Sequence, residues 1–128
     1  MKFGLQEALN DLIEKSRVPG LTIWLNGAGM EERLDKEKEL AIYRIVEEAL
    51  SNVMRHARAT EVFINVRKNE NAISLSIEDN GIGFNPEEIS NDSSGLSNMQ
   101  SRVSILKGTF NIDSSRGKGT FTSVTIPT

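Results

Sequence analysis

Three short segments carry residue types that could do chemistry. On one predicted helix, Glu47-Glu48-Ala49-Leu50-Ser51-Asn52-Val53-Met54-Arg55-His56 places Glu48, Asn52, Arg55 and His56 on one stripe, because a helix advances ~100° per residue and residues three and four apart are neighbours. A solvated face with an acidic-to-basic pairing explains this pattern. So does a metal site, since an amide and a carboxylate side by side suit hydrated Mg²⁺, a hard ion that takes few protein oxygens and completes its octahedron with water and phosphate.

Directly after a predicted strand comes Glu78-Asp79-Asn80-Gly81-Ile82-Gly83-Phe84. Asn-Gly is a strong hairpin signal, so a plain turn is one reading. No clean strand follows, however, and Gly83 adds a second position where backbone can approach a ligand closely. A carboxylate held at a strand end can accept the exocyclic amine of adenine, with glycines leaving room for the flat ring. The segment is not a phosphate-gripping P-loop, and no G-x-x-x-x-G-K-[ST] run occurs.

The third segment, Ser93-Ser94-Gly95-Leu96, opens a helix. Serines there are ordinary N-caps. Free amides beside a flexible glycine also make a natural seat for a phosphate chain. Downstream, Arg116-Gly117-Lys118-Gly119-Thr120 reads as a hairpin turn whose threonine hydroxyl could touch a ligand.

These segments need a scaffold, and hydrophobic periodicity supplies one. Leu5, Ala8, Leu9, Leu12 and Ile13 predict a helix over 4–17, which Pro19-Gly20 stops. Leu21, Ile23 and Leu25 alternate with polar neighbours and predict a strand running into Gly27 and Gly29. Asp35 is a plausible cap for a long helix reaching Ala57, with Ile42, Tyr43, Val46, Ala49, Leu50, Val53 and Ala57 as its apolar stripe. Val62, Ile64 and Val66, then Ile73, Leu75 and Ile77, predict a hairpin turning at Asn69-Glu70-Asn71. A polar loop continues to Gly95, then a helix through Leu96, Met99, Val103 and Leu106 closed by Gly108, then strands over 109–113 and 119–126. The economical architecture is an α+β, two-layer sandwich, with a sheet of about five strands, mixed or antiparallel, covered on one face by three helices.

Composition narrows the function classes. The 128 residues suffice for one domain with a real core. The net charge is −3, from 18 acidic and 15 basic residues interspersed, so no basic face calls for nucleic acid or an anionic membrane. There is no cysteine and a single histidine, His56, which excludes disulfides, thiolate chemistry and multi-histidine metal sites. No window is long and apolar enough to span a bilayer.

Taken together, the order and spacing are more specific than any one segment. Asn52 on a helix, a strand ending in Asp79-x-Gly81-x-Gly83, a polar loop, Gly95-Leu96-x-x-Met99 opening a helix, then Gly117-x-Gly119-Thr120 resembles the GHKL, or Bergerat-fold, ATPases. Ile45-Val46-Glu47-Glu48-Ala49-Leu50-Ser51-Asn52 with His56-Ala57, followed by Gly95-Leu96-Ser97-Asn98-Met99, more closely resembles the sensor histidine kinases that pair with LuxR-type response regulators. The likeness runs from about residue 4 to 127.

The resemblance implies ATP and Mg²⁺ as cofactors, with Asn52 as the metal ligand and Asp79 as the adenine anchor. It makes Gly81 and Gly83 the adenine floor, residues 84–95 the ATP lid, Gly95 the lid's phosphate-side hinge with Leu96 beside it, and Thr120 part of the adenine end. Arg55 and His56 fall where basic residues approach the phosphates, and Glu48 where the hydrolytic relatives activate water. Ser93 replaces a glycine common in relatives two positions before Gly95. The resemblance further implies a whole-chain catalytic domain, over 1–128, that donates the γ-phosphate to a histidine on a separate dimerisation domain and through it serves a response regulator. His56, inside the asparagine motif, does not match that acceptor. A cytoplasmic, monomeric domain without nucleic-acid or membrane contacts is expected. A serine-phosphorylating anti-sigma factor and a nucleotide-gated binding module are the rival readings.

Overall fold

A computed structural model describes residues 4–29, 34–83, 94–114 and 117–128. In chain order the elements are α1 (Leu5–Lys15), β1 (Thr22–Ala28), α2 (Lys36–Asn52) with a π-helical turn (Val53–Ala57), β2 (Glu61–Lys68), β3 (Ala72–Asp79), α3 (Ser94–Ile105), β4 (Thr109–Ser114) and β5 (Thr120–Pro127). The five strands form one sheet in the order β1-β2-β3-β5-β4. The sheet is mixed because β1 runs parallel to β2, through the α2 crossover, while every other pairing is antiparallel. The expected two-layer α+β architecture is therefore the one observed.

Alternation explains the layers. Val62, Ile64 and Val66 on β2 stand in register with Asp79, Ile77 and Leu75 on β3, and those with Thr120, Thr122 and Val124 on β5. Cross-strand partners share a face, so this set lies under the helices. α2 contributes Ile42, Ile45, Val46, Ala49, Leu50 and Val53 to the same core, α1 adds Leu5, Leu9 and Ile13, and α3 adds Met99 and Val103. Each fully buried aliphatic side chain is worth roughly 1.5–3 kcal/mol. On the other face of the sheet, Trp24 stacks on Phe63 with ring centroids 6.3 Å apart. Among the described residues, no helix is long and apolar enough to cross a membrane.

Four local features differ from the sequence expectation, each for a physical reason. The buried face of α2 includes Ile45, while Tyr43 is only partly buried, because α2 packs against the sheet and is flanked by both α1 and α3. The regular helix ends at Asn52 and continues as a π turn that closes on Arg58 in the left-handed region at φ 50°. Asp35 occupies the N-cap, yet its carboxylate bonds no amide and lies 3.5 Å from Lys38 Nζ. At the end of α3 the left-handed residue is Lys107, not Gly108. Lys107 N–H donates to the Ser104 carbonyl at 3.0 Å and Gly108 N–H to the Val103 carbonyl at 2.9 Å, the paired bonds of a Schellman cap.

The reason for glycine at 108 is space. A Cβ there would sit 2.4 Å from the Thr125 carbonyl oxygen and 2.9 Å from Val103 Cγ1. Gly108→Ala must push α3 off β5, and its expected effect is a loss of about 2 kcal/mol or more in unfolding free energy. A urea titration with an unshifted midpoint would refute this packing account.

Candidate functional site

The site is built outward from Asp79, the last residue of β3. As the strand's core-facing residue it continues the row Ile73, Leu75, Ile77, and it is only 7 % exposed. Burial lifts its carboxyl above the ordinary 3.8; N–H groups of Gly81 and Thr120 pull it back down, and the nearby charge of Glu78 adds to the rise. The Gly81 amide donates to Asp79 Oδ1 at 2.9 Å. The result is a desolvated carboxylate with free acceptor capacity, a strong seat for an N–H donor.

Three further contacts bring the second glycine motif to the first. Asp79 pairs with Thr120 at the start of β5. Gly119 lies against the Asp79 carbonyl so closely that a Cβ would be 2.2 Å from the oxygen, and its φ of +75° also favours glycine. The Gly117 amide donates to the Ile82 carbonyl. Thr120 shares a 2.9 Å hydroxyl hydrogen bond with Ser114, whose hydroxyl also donates to the Gly119 carbonyl at 3.0 Å. Gly83 adopts φ 67°, the backbone freedom its spacing suggested.

A second cluster forms at the end of α2. Arg55 Nη2 donates to Asn52 Oδ1 at 3.1 Å and lies 3.6 Å from Glu48 Oε1, while Arg55 Nε donates to the Ser51 carbonyl at 3.4 Å. The stripe of Glu48, Asn52 and Arg55 is thus real, held by one hydrogen bond and one ion pair. His56 lies in the π turn. Gly95 and Leu96 lie in the first turn of α3; the lid residues 84–93, Ser93 among them, and Arg116 fall outside the described residues.

Among the described residues no hydrogen bond joins the α2 cluster to the Asp79 cluster. They share a scaffold instead. The chain passes from the π turn through Arg58, Ala59 and Thr60 into β2, whose Val62 pairs with Asp79. Asn80 locks this junction: Thr60 N–H and Glu61 N–H each donate to its Oδ1 at 2.9 Å, and its Nδ2 donates to Thr60 Oγ1 at 2.8 Å. Both clusters therefore lie where α2 and β3 end. The sequence pattern marks Asn80 only as a turn residue; its bonds are to residues nineteen and twenty positions upstream, a separation that periodicity and turn rules do not reach.

The family model described as histidine kinase-, DNA gyrase B-, and HSP90-like ATPase matches residues 37–128, and the chain belongs to that family. It is 40% identical over 120 residues to the sensor histidine kinase ComP of Bacillus subtilis, covering 91% of this chain and 16% of that protein. To the signal transduction histidine-protein kinase/phosphatase DegS of the same species it is 38% identical over 104 residues, covering 79% of this chain and 27% of DegS. The sensor histidine kinase LiaS, also of Bacillus subtilis, is 34% identical over 124 residues, with 97% of this chain and 34% of LiaS covered. The chain thus spans about a third or less of these relatives. The histidine kinase domain of the Erythrobacter litoralis EL346 blue-light activated histidine kinase shares the fold, with a TM-score of 0.72 at 19% identity over 96% of this chain and 58% of that one.

The raised carboxyl has a consequence for stability. Because the folded state holds the Asp79 proton more tightly than the unfolded chain, stability is lost as pH rises from about 3.8 through the folded value. Asp79→Asn removes that titration and keeps an oxygen for the Gly81 amide. Without nucleotide, the variant is expected to melt no lower than wild type at pH 7, with any advantage shrinking as pH falls toward 4. A variant melting well below wild type at pH 7 would contradict the desolvation account.

Proposed function

We propose that this domain binds Mg-ATP between the two clusters and presents the γ-phosphate to a histidine on a separate dimerisation domain, as the catalytic part of a two-component sensor kinase. The observation that carries the reading is the buried, desolvated carboxylate of Asp79 enclosed by Gly81, Gly119 and Thr120. It suits the exocyclic amine of adenine, which donates N–H bonds and carries no charge of its own to be buried.

The α2 cluster fits the metal and the phosphates. Asn52 Oδ1 and the Glu48 carboxylate are oxygen donors suited to a hard cation. Among the described residues there is no group of three or more acidic, His or Cys side chains that could hold a metal ion alone, so phosphate and water would complete the coordination of Mg²⁺. Arg55 now lies on both oxygens. Asn52 and Glu48 would hold the cation, and Arg55, freed from them, would be available to the phosphate chain, with His56 the next residue in the chain. Bound Mg²⁺ would supply charge neutralisation on the phosphates; the protein's part is positioning, which is most of what phosphoryl transfer asks of it. Gly95 and Leu96 lie in the first turn of α3, and in this reading their backbone amides would meet the phosphates. The names of ComP, DegS and LiaS, each a histidine kinase, support a histidine as acceptor; in this reading a response regulator would be the next partner. In this reading the domain is monomeric and works on the cytoplasmic side, apart from membrane and nucleic acid.

Calorimetric titration of Mg-ATP tests the site. Asn52→Ala is expected to weaken binding about 10-fold and to blunt its dependence on Mg²⁺, and Asp79→Asn to weaken it by about 100-fold, the range of hydrogen bonds to charged groups. Unchanged binding in both variants removes the site. Supplied with a two-helix phosphoacceptor domain and labelled ATP, the protein should yield acid-labile phosphohistidine; acid-stable phosphoserine on an antagonist protein instead would identify a serine kinase.

A further inference from the structure

The face of the sheet turned away from the helices is polar except in one row. Register aligns Trp24 on β1, Phe63 on β2, Glu78 on β3, Phe121 on β5 and Asp113 on β4 straight across the five strands. The next row on that face is amide and hydroxyl throughout, from Asn26 on β1 to Asn111 on β4. Trp24, Phe63 and Phe121 are 53%, 40% and 43% exposed, and among the described residues no other aromatic side chain is as open. A cross-strand aromatic pair stabilises a sheet by itself, which accounts for the stacked Trp24 and Phe63. It does not account for Phe121, which meets no other ring among the described residues and has a carboxylate on each side, Glu78 and Asp113. Neither carboxylate forms an ion pair among the described residues. Open apolar surface rimmed by polar groups marks an interaction site.

Chemistry and spacing select the occupant. The face of a ring attracts a cation, and a guanidinium suits this one: it stacks on the ring while its fork of N–H donors reaches carboxylates to either side. Cross-strand neighbours stand roughly 5 Å apart at Cβ, within reach of that fork. With strands ~4.8 Å apart, the middle of the Trp24–Phe63 pair is about 12 Å from Phe121. An extended chain rises ~3.3 Å per residue and returns to the same side every second residue, so side chains four positions apart share a side at roughly 13 Å. An arginine over Phe121 thus sets the side chain four positions away over Trp24 and Phe63, where an apolar group is favoured. A second copy meeting this face with its own would oppose like charges, and the acidic row and net charge of −3 disfavour an anionic membrane.

We propose that this row is a docking surface for an extended segment of a partner protein with the pattern R-x-x-x-Φ, where Φ is a large apolar residue. The segment crosses the strands with its guanidinium on Phe121, between Glu78 and Asp113, and its apolar side chain on Trp24 and Phe63. Glu78 and Phe121 adjoin Asp79 and Thr120 in the chain but lie on the opposite face, so the segment sits behind the Asp79 wall and leaves it open. The inference does not rest on the nucleotide reading.

Trp24 is the chain's single tryptophan, so its fluorescence reads this surface. The probes are capped peptides G-R-S-G-S-L-G, its lysine counterpart G-K-S-G-S-L-G and the rearranged G-R-L-S-G-S-G, titrated into the whole chain. The first is expected to give a saturable blue shift at concentrations on the order of 1 mM, with the other two binding about 3-fold more weakly or worse. Glu78→Gln/Asp113→Asn, which keeps both shapes, should weaken the first peptide about 5-fold. Phe121→Leu, which keeps bulk without the π face, should weaken it about 2- to 5-fold. Absence of a shift with the first peptide overturns the proposal. So does an equal response to all three, since charge or composition alone would then explain it, and so does undiminished binding in both variants. A blue shift that appears without peptide and follows dimer formation in sedimentation overturns it too, by placing a second copy on the face. Should a variant melt below wild type, the three-peptide comparison on the wild-type chain decides alone.

Discussion

The close approach of β5 to the end of β3 is the constraint on which the site depends. Gly119 lies on the Asp79 carbonyl at a distance no side chain tolerates, and it can do so only as glycine at positive φ. That approach delivers Thr120 into register with Asp79 and brings Gly117 to the Ile82 carbonyl. Two glycine-rich segments almost forty residues apart thereby become one wall. The carboxylate at their junction is shielded from water by the strands on either side, and this shielding raises its affinity for a proton. The same shielding makes it a strong acceptor for a ligand's N–H. Stability and recognition pull in opposite directions at this residue, as is common where a fold holds a functional group in place.

Asn80 extends this junction to the helix layer. Its amide satisfies the Thr60 and Glu61 N–H groups and the Thr60 hydroxyl, so the link leading out of the π turn is fastened to the strand that ends in Asp79. The π turn adds its own displacement. Inserting one residue into a helical repeat rotates the residues after it, and such insertions recur at functional sites. Here it falls immediately after Asn52 and holds Arg55 and His56.

Much of this was legible in the sequence, for reasons that also explain the features that were not. Val62, Ile64, Val66 and Ile73, Leu75, Ile77 alternate cleanly because their strands bury one face only, and the Asn69-Glu70-Asn71 turn forms where its residues indicated, with Asn69 Oδ1 accepting the Asn71 and Ala72 amides at 2.9 Å. The stripe of Glu48, Asn52 and Arg55 comes from helical spacing and is bonded in space. Ile45 was hidden because α2 buries more than one face, and the one-face template has no place for that. Lys107 in the left-handed position was hidden because Gly108, beside it, is the usual marker for such a cap, yet is required here for clearance. Asn80 owes its bonds to the meeting of segments distant in the chain, which single-strand patterns do not encode.

The two clusters differ in how firmly they are held, and the difference suits their proposed tasks. The Asp79 group is buried, framed by backbone amides and fixed by a strand register; moving it would mean unmaking β3 and β5. The Arg55 cluster is half exposed, with side-chain accessibilities of 58% for Arg55 and 33% for Glu48. Ion pairs in such positions typically contribute only ~0–1 kcal/mol, so exchanging the guanidinium for a divalent cation meets little resistance from the fold. A rigid seat for the base and a loosely held set of charges for the phosphates divide the work. In the proposed function the first would fix where the nucleotide sits, and the second would be free to follow charge as the γ-phosphate is passed on.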